Sequence, residues 1–499
     1  MNPTCESGLR SVLATVATLL IAGCMVGPDF KRPAPPEAGG YTPEPLANTV
    51  ATENVFGGQT QKFANGIDVA QDWWTLFHSE ALNDLIHQAL LNNPDLKAAQ
   101  AALKVARENV LAQRGAYFPS VAAGFDASRQ RQSGQIAPVL SSNAFLYNLF
   151  TPQVSISYVP DVFGLNRRTV ESLQAQAQEV RYQMIATYTT LTSNVVVTAI
   201  QESSLQEQIA VTRQLIESNT HAVQILRYQS QKGYAGGLDV AAQESQLAQV
   251  VATLPPLVKQ LAQVRDQLAV LTGRFPSQMP PGAFFDLSQL QLPDTLPVSL
   301  PSALIEQRPD VLQAEANLHD SSAKIGIAVA NRLPNIQLTA TAGSSAAALN
   351  QLFTTGTGFW SIGAAATAPL FQGGTLLHQE RAAKAAYNQA AEQYRSTVLT
   401  AFQNVADTLA ALEQDAAGLK ASADAAQAAK TTLGLAQRQY KSGYGAYLTL
   451  LSAEQADNQA QINLVQAQAS RYADTAALFQ ALGGGWWHGP DPAADTHAQ

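Results

Sequence analysis

The sequence predicts an α+β membrane protein that is mainly helical, with very long coiled-coil hairpins (an α-barrel) and four β-strands in each protomer. Three observations lead to this prediction. One unit of roughly 180 residues occurs twice, each copy contains a long proline-free stretch, and each contains two segments of alternating apolar and small or polar residues. Because four strands are too few to close a barrel around a lumen, other copies of the chain are expected to complete it, and three protomers would give one trimeric twelve-stranded β-barrel.

The composition of the 499-residue chain excludes several classes of protein. Only 14% of the residues are charged, where about a quarter is usual, and 46% are hydrophobic, which argues against intrinsic disorder. A net charge of −8 argues against a nucleic-acid partner. Two cysteines are too few for a disulfide scaffold or a cysteine-rich metal site. We therefore expect much of the surface to be shielded from water or covered by neutral polar side chains.

The N-terminus is predicted to be a lipoprotein signal peptide over residues 1–23. Its apolar run, Val12–Ile21, is too short to cross a membrane, and small residues precede Cys24. The pattern resembles a bacterial lipobox and predicts acylation of Cys24, with an ordinary signal peptide as the alternative. Met25 replaces the aspartate that retains bacterial lipoproteins at the inner membrane, which favours the outer membrane. Residues 24–72 are rich in proline and are predicted to form a lipidated extended tether.

The internal duplication defines the predicted domains. Two motifs recur at spacings of 215 and 210 positions: Asn93-Pro94-Asp95-Leu96 with Arg308-Pro309-Asp310-Val311, and Gly233-Tyr234 with Gly443-Tyr444. We expect repeat 1 over 73–274, a proline-rich linker in an equatorial region over 275–301, repeat 2 over 302–485 and a flexible tail over 486–499. Each repeat is predicted to hold a helix, two strands and a long helical hairpin.

The elements of each repeat follow from their periodicity. A first helix is predicted over Glu80–Ala116 and again over Ser302–Arg332. Two strands then follow in each copy, and the apolar positions that alternate along them are Val121, Ala123, Phe125 and Ala127, then Val154, Ile156 and Tyr158, then Ile336, Leu338, Ala340 and Ala342, and last Trp360, Ile362, Ala364 and Ala366. Strands of about ten residues have the length that crosses a bilayer at a tilt. A soluble sheet with one face on a core is the alternative.

The long arms of the hairpins are predicted over Leu165–Lys232 and Thr375–Lys441, each spanning ~100 Å at 1.5 Å per residue. They turn at glycine-rich tips and return as shorter helices, since glycine tolerates a positive φ. The apolar stripe of the first arm is interrupted by polar residues, as in a diluted coiled-coil seam. Glu202 and Glu207 are interpreted as carboxylates on solvated helix faces. A hairpin this long is expected to need neighbouring hairpins to bury its seam.

The chain resembles the TolC-like outer-membrane efflux proteins, in the lipoprotein subgroup that serves resistance-nodulation-division pumps. The match runs from Cys24 to about Leu482, and seven segments in order carry it: Cys24–Pro33, Trp73-Trp74, Asn93–Leu96, Asp161–Gly164, Arg308–Val311, Pro369–Gly374 and Ala401–Val405. The resemblance implies a homotrimer in outer-membrane lipid, docked to a periplasmic adaptor (membrane fusion) protein and an inner-membrane resistance-nodulation-division transporter. It implies a passive gated conduit for drugs or other small toxic compounds.

The same resemblance assigns candidate residues. Asp161, Gly164, Pro369, Gly373 and Gly374 are expected where strands pass into helices. The family closes its periplasmic mouth at the helical tips, and the gate candidates are Arg438, Tyr440, Gly443, Tyr447, Leu448 and Ser452 in copy two, with Gly233 and Asp239 in copy one. Related channels carry an aspartate where this chain has Ser452, so we expect closure to depend on Leu448 and Tyr440. Packing of the tip alone is the alternative for these residues, and Asp239 is the kind of residue that caps a helix.

The sequence contains no pattern typical of an enzyme. Its seven histidines form no i, i+3 or i, i+4 pair, and the nucleophile-elbow and phosphate-loop motifs are absent. We therefore expect no catalytic activity, no cofactor and no metal. Two alternatives to the efflux channel stay open at this point. One is the outer-membrane exit duct of a type I protein secretion system, and the other is a periplasmic coiled-coil spacer lipoprotein without a pore.

Overall fold

The computed structural model describes residues 25–35, 39–44, 46, 48–135, 145–280 and 285–489. The predicted signal peptide and Cys24 lie outside the described residues. The described chain divides into two compact units, which are treated separately below. Unit 1 comprises the N-terminal residues up to Pro33 together with 104–179 and 314–394, and unit 2 comprises 34–103, 180–313 and 395–489.

The two copies repeat the same order of elements, as the duplication predicts. Copy one and its preceding strand comprise β1 (Lys62–Asn65), α1 (Glu80–Asn92), α2 (Pro94–Arg114), β2 (Ser120–Arg131), β3 (Leu146–Tyr158), α3 (Leu165–Gln231) and α4 (Gly237–Leu271). Copy two and its preceding strand comprise β4 (Thr295–Val298), α5 (Pro301–Gln307), α6 (Pro309–Ala330), β5 (Asn335–Ser344), β6 (Gly358–Thr367), α7 (Thr375–Lys441) and α8 (Tyr447–Ala481).

The first helix of each copy is broken in two, where the sequence predicts one continuous helix. The break falls at Asn93 before Pro94 and at Arg308 before Pro309, and both residues before proline are extended, with ψ of 124° and 123°. Proline lacks an N–H donor and disfavours helical geometry in the residue before it. Copy-related prolines thus break the helix at equivalent places. The adjacent prolines Pro255 and Pro256, in contrast, are accommodated inside α4.

The long arms α3 and α7 contain 67 residues each. The polar residues in the stripe of α3 are buried rather than solvated: Glu202 is 1% exposed and forms an ion pair with Arg265 at 2.9 Å. The interpretation of Glu202 as solvated is therefore wrong, because a partner on α4 neutralises it. Thr212 and Asn219 are also buried, and each donates a side-chain hydrogen bond to a carbonyl four residues earlier.

The four strands of unit 1 form one antiparallel sheet in the order β2-β3-β5-β6. Its register aligns the predicted apolar positions of all four strands: Val121 pairs with Ile156, Ile156 with Ala340, and Ala340 with Ile362. The small and polar positions align in the same way, as in the row Ser120, Ser157, Thr339 and Gly363. Residues in one such row share a face of the sheet. The sheet therefore has one apolar face and one small or polar face.

Both ends of the chain contain structure that the predicted domains lack. In unit 2, β1 lies within the predicted tether and pairs in parallel with β4, which lies within the predicted linker. Trp486 lies in the predicted tail, but its side chain is 9% exposed and its indole N–H donates to the carbonyl of Gln307 at 2.8 Å. Burial of apolar and hydrogen-bonded groups orders these segments, which their proline and glycine content alone does not reveal. Residues 490–499 lie outside the described residues.

None of the helices in the described part of the chain combines the length and the apolar character needed to cross a membrane.

Candidate functional site

In copy one, the junction from strand to helix is organised by Asp161. Its carboxylate accepts the backbone N–H groups of Asn166 and Arg167, both at 2.9 Å, and the Nε–H of Arg167 at 3.2 Å. The first N–H groups of a helix have no intrahelical partner, and a carboxylate at this end also interacts favourably with the helix dipole. Gly164 lies immediately before α3 with φ of +80°, and a Cβ there would approach Met25 within 3.0 Å. Both predicted residues thus have a local structural role.

The junction of copy two has a different character. Gly373 and Gly374 have φ of +57° and +87°, and α7 begins directly after them. The first turn of α7 contains no acidic residue, and the N–H of Thr375 donates to the carbonyl of Gln372 at 3.1 Å. Leu370 and Phe371, after Pro369, are 96% and 89% exposed. The chain therefore presents two large apolar side chains at this junction.

One cavity of about 180 Å³ brings the two junctions together within unit 1. Asp161 and Phe163 line it from copy one, and Pro369 lines it from copy two. The remaining lining residues include the end of α6 and the start of β5, at Ala330 and Asn335. Of the predicted junction residues, Asp161 and Pro369 thus share one cavity, whereas Gly164, Gly373 and Gly374 are not among its lining residues.

The tip of copy one lies between α3 and α4 in unit 2. Gly233 has φ of +79°, and its N–H donates to the carbonyl of Ser230 at 2.9 Å as the helix ends. Asp239 caps the following helix, since its carboxylate accepts the N–H of Gly236 at 3.3 Å. These residues form the turn and the cap.

In copy two, the tip residues separate into a packed group and an exposed group. Gly443 makes the turn with φ of +76°. Tyr440 and Tyr447 pack against each other edge to face, with ring centroids 5.5 Å apart. They pack within a cluster that joins both hairpins and whose buried members are Leu226, Ala436, Tyr447, Leu450, Leu451 and Ala453. Tyr447 is therefore a core residue of the tip as well as a gate candidate.

Both tyrosines of the packed group bond to copy one. The hydroxyl of Tyr440 donates to the side-chain oxygen of Gln229 at 3.4 Å, and that of Tyr447 donates to the side-chain oxygen of Gln243. The amide of Gln243 in turn donates to Asn219 at 2.9 Å. The chain from Tyr447 through Gln243 to Asn219, here called the tip relay, therefore joins α8, α4 and α3.

The electrostatics of the tip favour neutral side chains. Burial raises the pKa of Tyr447, and nearby Glu454 adds to the rise. Burial, with a smaller effect of Asp239, likewise raises the pKa of Tyr440. Burial also raises the pKa of the Glu454 carboxyl. Both hydroxyls therefore stay protonated and able to donate at physiological pH.

The exposed group comprises Arg438, Leu448 and Ser452. Leu448 is 51% exposed, and Ser452 follows it four residues later on the same face of α8. Tyr444 at the turn is 91% exposed, and its copy-one equivalent Tyr234 is also exposed. The exposed gate candidates of the copy-two tip with side chains thus supply one apolar, one hydroxyl and one cationic group.

Reasoning from the sequence missed the residues that bond the two hairpins together. Besides the tip relay, the side-chain amides of Gln455 and Gln466 on α8 donate to Gln246 and Gln208. Their signal in the sequence is the high glutamine content of the arms, but glutamine is equally typical of solvated helix faces. Only the pairing of helices distinguishes the two. Among the residues that the structure describes, no group of His, Cys, Asp or Glu is arranged to hold a metal ion.

Comparison with known proteins matches nearly the whole chain. The model of the family described as "Outer membrane efflux protein" matches residues 85–274 and 300–484. A toluene efflux pump outer membrane protein, TtgF of Pseudomonas putida, is 30% identical over 484 residues, covering 95% of this chain and 96% of its own length. A pyoverdine export outer membrane protein, OpmQ of Pseudomonas aeruginosa, is 29% identical over 450 residues, covering 90% and 94%.

Solved structures share the fold. The open state of the MtrE outer membrane channel of Neisseria gonorrhoeae superposes with a TM-score of 0.77 at 26% identity, covering 93% of this chain and 98% of that one. The long hairpins and the four strands described above are thus those of an outer-membrane channel fold.

Proposed function

The chain belongs to the outer membrane efflux protein family, and from this premise we propose how it works. It is an outer-membrane channel of a tripartite efflux system and extends into the periplasm. We propose that it acts as a passive, gated conduit and catalyses no reaction. The energy for transport then comes from the inner-membrane resistance-nodulation-division transporter, to which a periplasmic adaptor connects the channel.

The observation that carries this proposal is the two-faced sheet. Its apolar face is unburied: Trp360, Ile362 and Val121 are 75%, 78% and 67% exposed. In a soluble protein this face would lie on a core, whereas a strand in a membrane barrel directs its apolar side chains to lipid and its small or polar ones to the lumen. The apolar positions of all four strands lie on one face, which supports the arrangement in a membrane barrel.

The sheet supports assembly with further copies of the chain. Within the described residues, β2 and β6 each pair along one side only. Because unpaired backbone groups are not tolerated in lipid, both edges must be covered, and β6 of one protomer would meet β2 of the next in the same antiparallel order. We infer a homotrimer in which three sheets of four strands form the twelve-stranded barrel.

The proposed gate lies at the copy-two tip. Leu448 and Ser452 occupy its exposed face, while Tyr440 and Tyr447 bind it to the neighbouring hairpin. Replacing Leu448 and Ser452 together by glycine is expected to raise single-channel conductance in planar bilayers. The control is Leu399→Gly on α7. This leucine has a similar exposure but lies far from the tip end of α7. Unchanged conductance in the tip variant would remove both residues from the gate.

The lipid anchor on Cys24 is part of the proposal. The lipobox-like pattern before Cys24 supports it. Mass spectrometry of the N-terminal peptide, with labelled palmitate fed to cells, is expected to find acyl chains on the parent protein and none on Cys24→Ser. An unmodified N-terminus at another residue would instead indicate an ordinary signal peptide.

Export of small organic compounds is preferred over protein secretion. Two relatives are named for toluene efflux and for pyoverdine export, which are chemically unrelated small molecules. In a conduit, the transporter largely determines selectivity. A deletion strain is expected to become sensitive to solvents or antibiotics while its secreted proteins keep their normal levels. The opposite result would favour the type I secretion duct, and a purified chain without conductance would favour the spacer lipoprotein.

A further inference from the structure

We propose that residues 25–32 form a clasp that fixes the N-terminal anchor at the strand–helix junction of copy one. The predicted extended tether would leave the anchor free to move, whereas these eight residues contact α3, the junction before α3, and α6 of unit 1 at four separate points. The part of the proposal that concerns lipid rests on the proposed acylation of Cys24.

The first point of contact is Arg168 on α3, whose side chain is 1% exposed. Its Nε–H donates to the carbonyl of Val26 at 3.0 Å, and its Nη2–H donates to the carbonyl of Gly27 at 3.2 Å and to Asp29 at 2.9 Å. The remaining nitrogen pairs with Glu171 at 2.7 Å. A buried guanidinium is costly unless its donors are satisfied. Here the N-terminal segment supplies three of the acceptors.

Two glycine pairings form the second and third points of contact. A Cβ on Gly27 would lie 2.4 Å from the Cα of Gly326 on α6, and Gly27 has φ of +91°. A Cβ on Gly164 would meet the side chain and backbone of Met25, and the N–H of Val26 donates to the carbonyl of Phe163 at 3.3 Å. Only glycine permits approaches this close. The backbone of the segment therefore packs directly against Gly326 and Gly164, where a side chain would not fit.

The fourth point of contact continues along α6. The ring of Phe30 stacks on His319 with centroids 4.4 Å apart, and Arg32 pairs with Glu315 at 2.9 Å. His319 also bonds to Glu171 at 3.0 Å, so the same network reaches back to α3. The clasp thus contacts a helix of copy one and a helix of copy two.

The covalent chain transfers this position to the anchor. Met25 directly follows the proposed anchor in the sequence, and a Cβ on Gly164 would lie within 3.0 Å of Met25. Acyl chains on Cys24 would then enter the membrane beside the base of β3. The anchor and the sheet would be held together as one membrane-attached piece.

Mobility of the segment in the purified acylated oligomer tests the clasp. With the signal peptide removed and Cys24 acylated, Lys31→Cys provides the single free thiol for a nitroxide label, since the chain has only two cysteines. We expect an immobilised spectrum in the parent and a mobile one in Gly27→Ala and in Arg168→Gln. Gly27→Ala lies outside every helix and strand, so it keeps the test decisive if Arg168→Gln does not fold.

Two matched controls isolate the clasp from general effects. Gly39→Ala adds a methyl group to the same N-terminal region where nothing lies within 4 Å, and Lys324→Gln removes a cation of α6 that pairs with Asp320. Both controls are expected to keep the label immobile. A mobile label in the parent, or an immobile one in both Gly27→Ala and Arg168→Gln, would overturn the clasp. A second nitroxide on each chain would instead show that Cys24 is not acylated.

A photoactivatable palmitate fed to cells tests where the anchor lies. In the parent we expect cross-links to the peptide that contains Phe163 and Gly164, and a several-fold loss of that product in Gly27→Ala but not in Gly39→Ala. Cross-links spread over the protein in the parent would overturn the placement of the anchor even if the label at position 31 is immobile.

Discussion

At the residue scale, buried neutral hydrogen bonds join the hairpins at the tip, beside an exposed ion pair between Arg227 and Glu244. Tyr447 bonds to Gln243, which bonds to Asn219, and all three side chains are buried. A typical hydrogen bond contributes only about 1 kcal/mol net, although leaving a buried partner unpaired costs about 1–3 kcal/mol. The tip relay can therefore hold the hairpins together and still be broken during opening.

Removing one hydroxyl should weaken this attachment. We expect Tyr447→Phe to destabilise the packed tip by about 1–3 kcal/mol, because the oxygen of Gln243 loses its donor inside the protein. Conductance in planar bilayers should rise or show more frequent openings. Tyr444→Phe is the control, since that ring is 91% exposed. Equal behaviour of the two variants would contradict a role for the tip relay in closure.

One carboxyl is expected to make the stability of the channel depend on pH. Burial, followed by the hydrogen bond and negative charge of Asp415, raises the pKa of Asp474 from its ordinary 3.8 to about 7. Between these two values the folded state holds a proton that the unfolded state has lost. The contribution of this group to stability therefore falls as the pH rises from about 4 to about 7, and it is constant above that range.

Substitution by asparagine should remove this dependence. We expect the loss of thermal stability between pH 5 and pH 8 to be smaller in Asp474→Asn than in the parent, as measured by the midpoint of thermal unfolding in detergent. Asp424→Asn, at an exposed surface ion pair with Lys420, should behave like the parent. An unchanged pH profile in Asp474→Asn would show that this carboxyl titrates normally in the folded channel.

At the scale of the elements, the sheet determines how the chain meets the membrane. Its register places Ile362 in the apolar row and Ser361 in the small or polar row, although the two residues are neighbours in sequence. Alternation along a strand sends their side chains to opposite faces. A charged side chain should therefore destabilise the membrane-inserted channel far more at position 362 than at position 361.

Lysine substitutions test this difference. Ile362→Lys is expected to destabilise the membrane-inserted channel by up to about 2–4 kcal/mol, the cost of a lysine on the lipid face near the bilayer midplane. Ser361→Lys should be tolerated and should instead reduce cation conductance, because its ammonium group would face the lumen. Unfolding in urea from lipid vesicles and bilayer recording measure the two effects. Equal destabilisation by both lysines would contradict the assignment of the faces.

At the scale of the whole molecule, the low charge and the exposed apolar sheet have one explanation. Removing residues 1–23 deletes Glu6 and Arg10, so the mature chain stays at −8 and a trimer carries 3 × −8 = −24. Much of the remaining surface is neutral and would face lipid, other protomers or a lumen. A surface with few charges is unsuited to a soluble monomer but suits the wall of a channel.

The oligomer itself is the last prediction. Purified in mild detergent, the protein should resist dissociation without heating, and titration with a bifunctional cross-linker should give three bands and no more. Heating should convert the assembly to single chains. Cross-linked products that end at two chains, or that continue beyond three chains, would contradict a closed barrel of twelve strands.

The sequence by itself determined the duplication, the long hairpins and the alternation of the strands, because these depend on periodicity and on glycine and proline, which act locally. It also determined the candidate turns, such as Gly443 and Gly374, since a positive φ selects glycine.

Only the tertiary structure decided which residues meet. It aligned the apolar positions of the four strands on one face, paired Glu202 with Arg265 and packed residues 25–32 around Arg168. Such contacts join positions that are far apart in the sequence. The pattern of a helix is the same whether its polar residue faces water or a partner. The physical reason is that burial and hydrogen-bond pairing depend on what packs opposite a residue, which local pattern does not record.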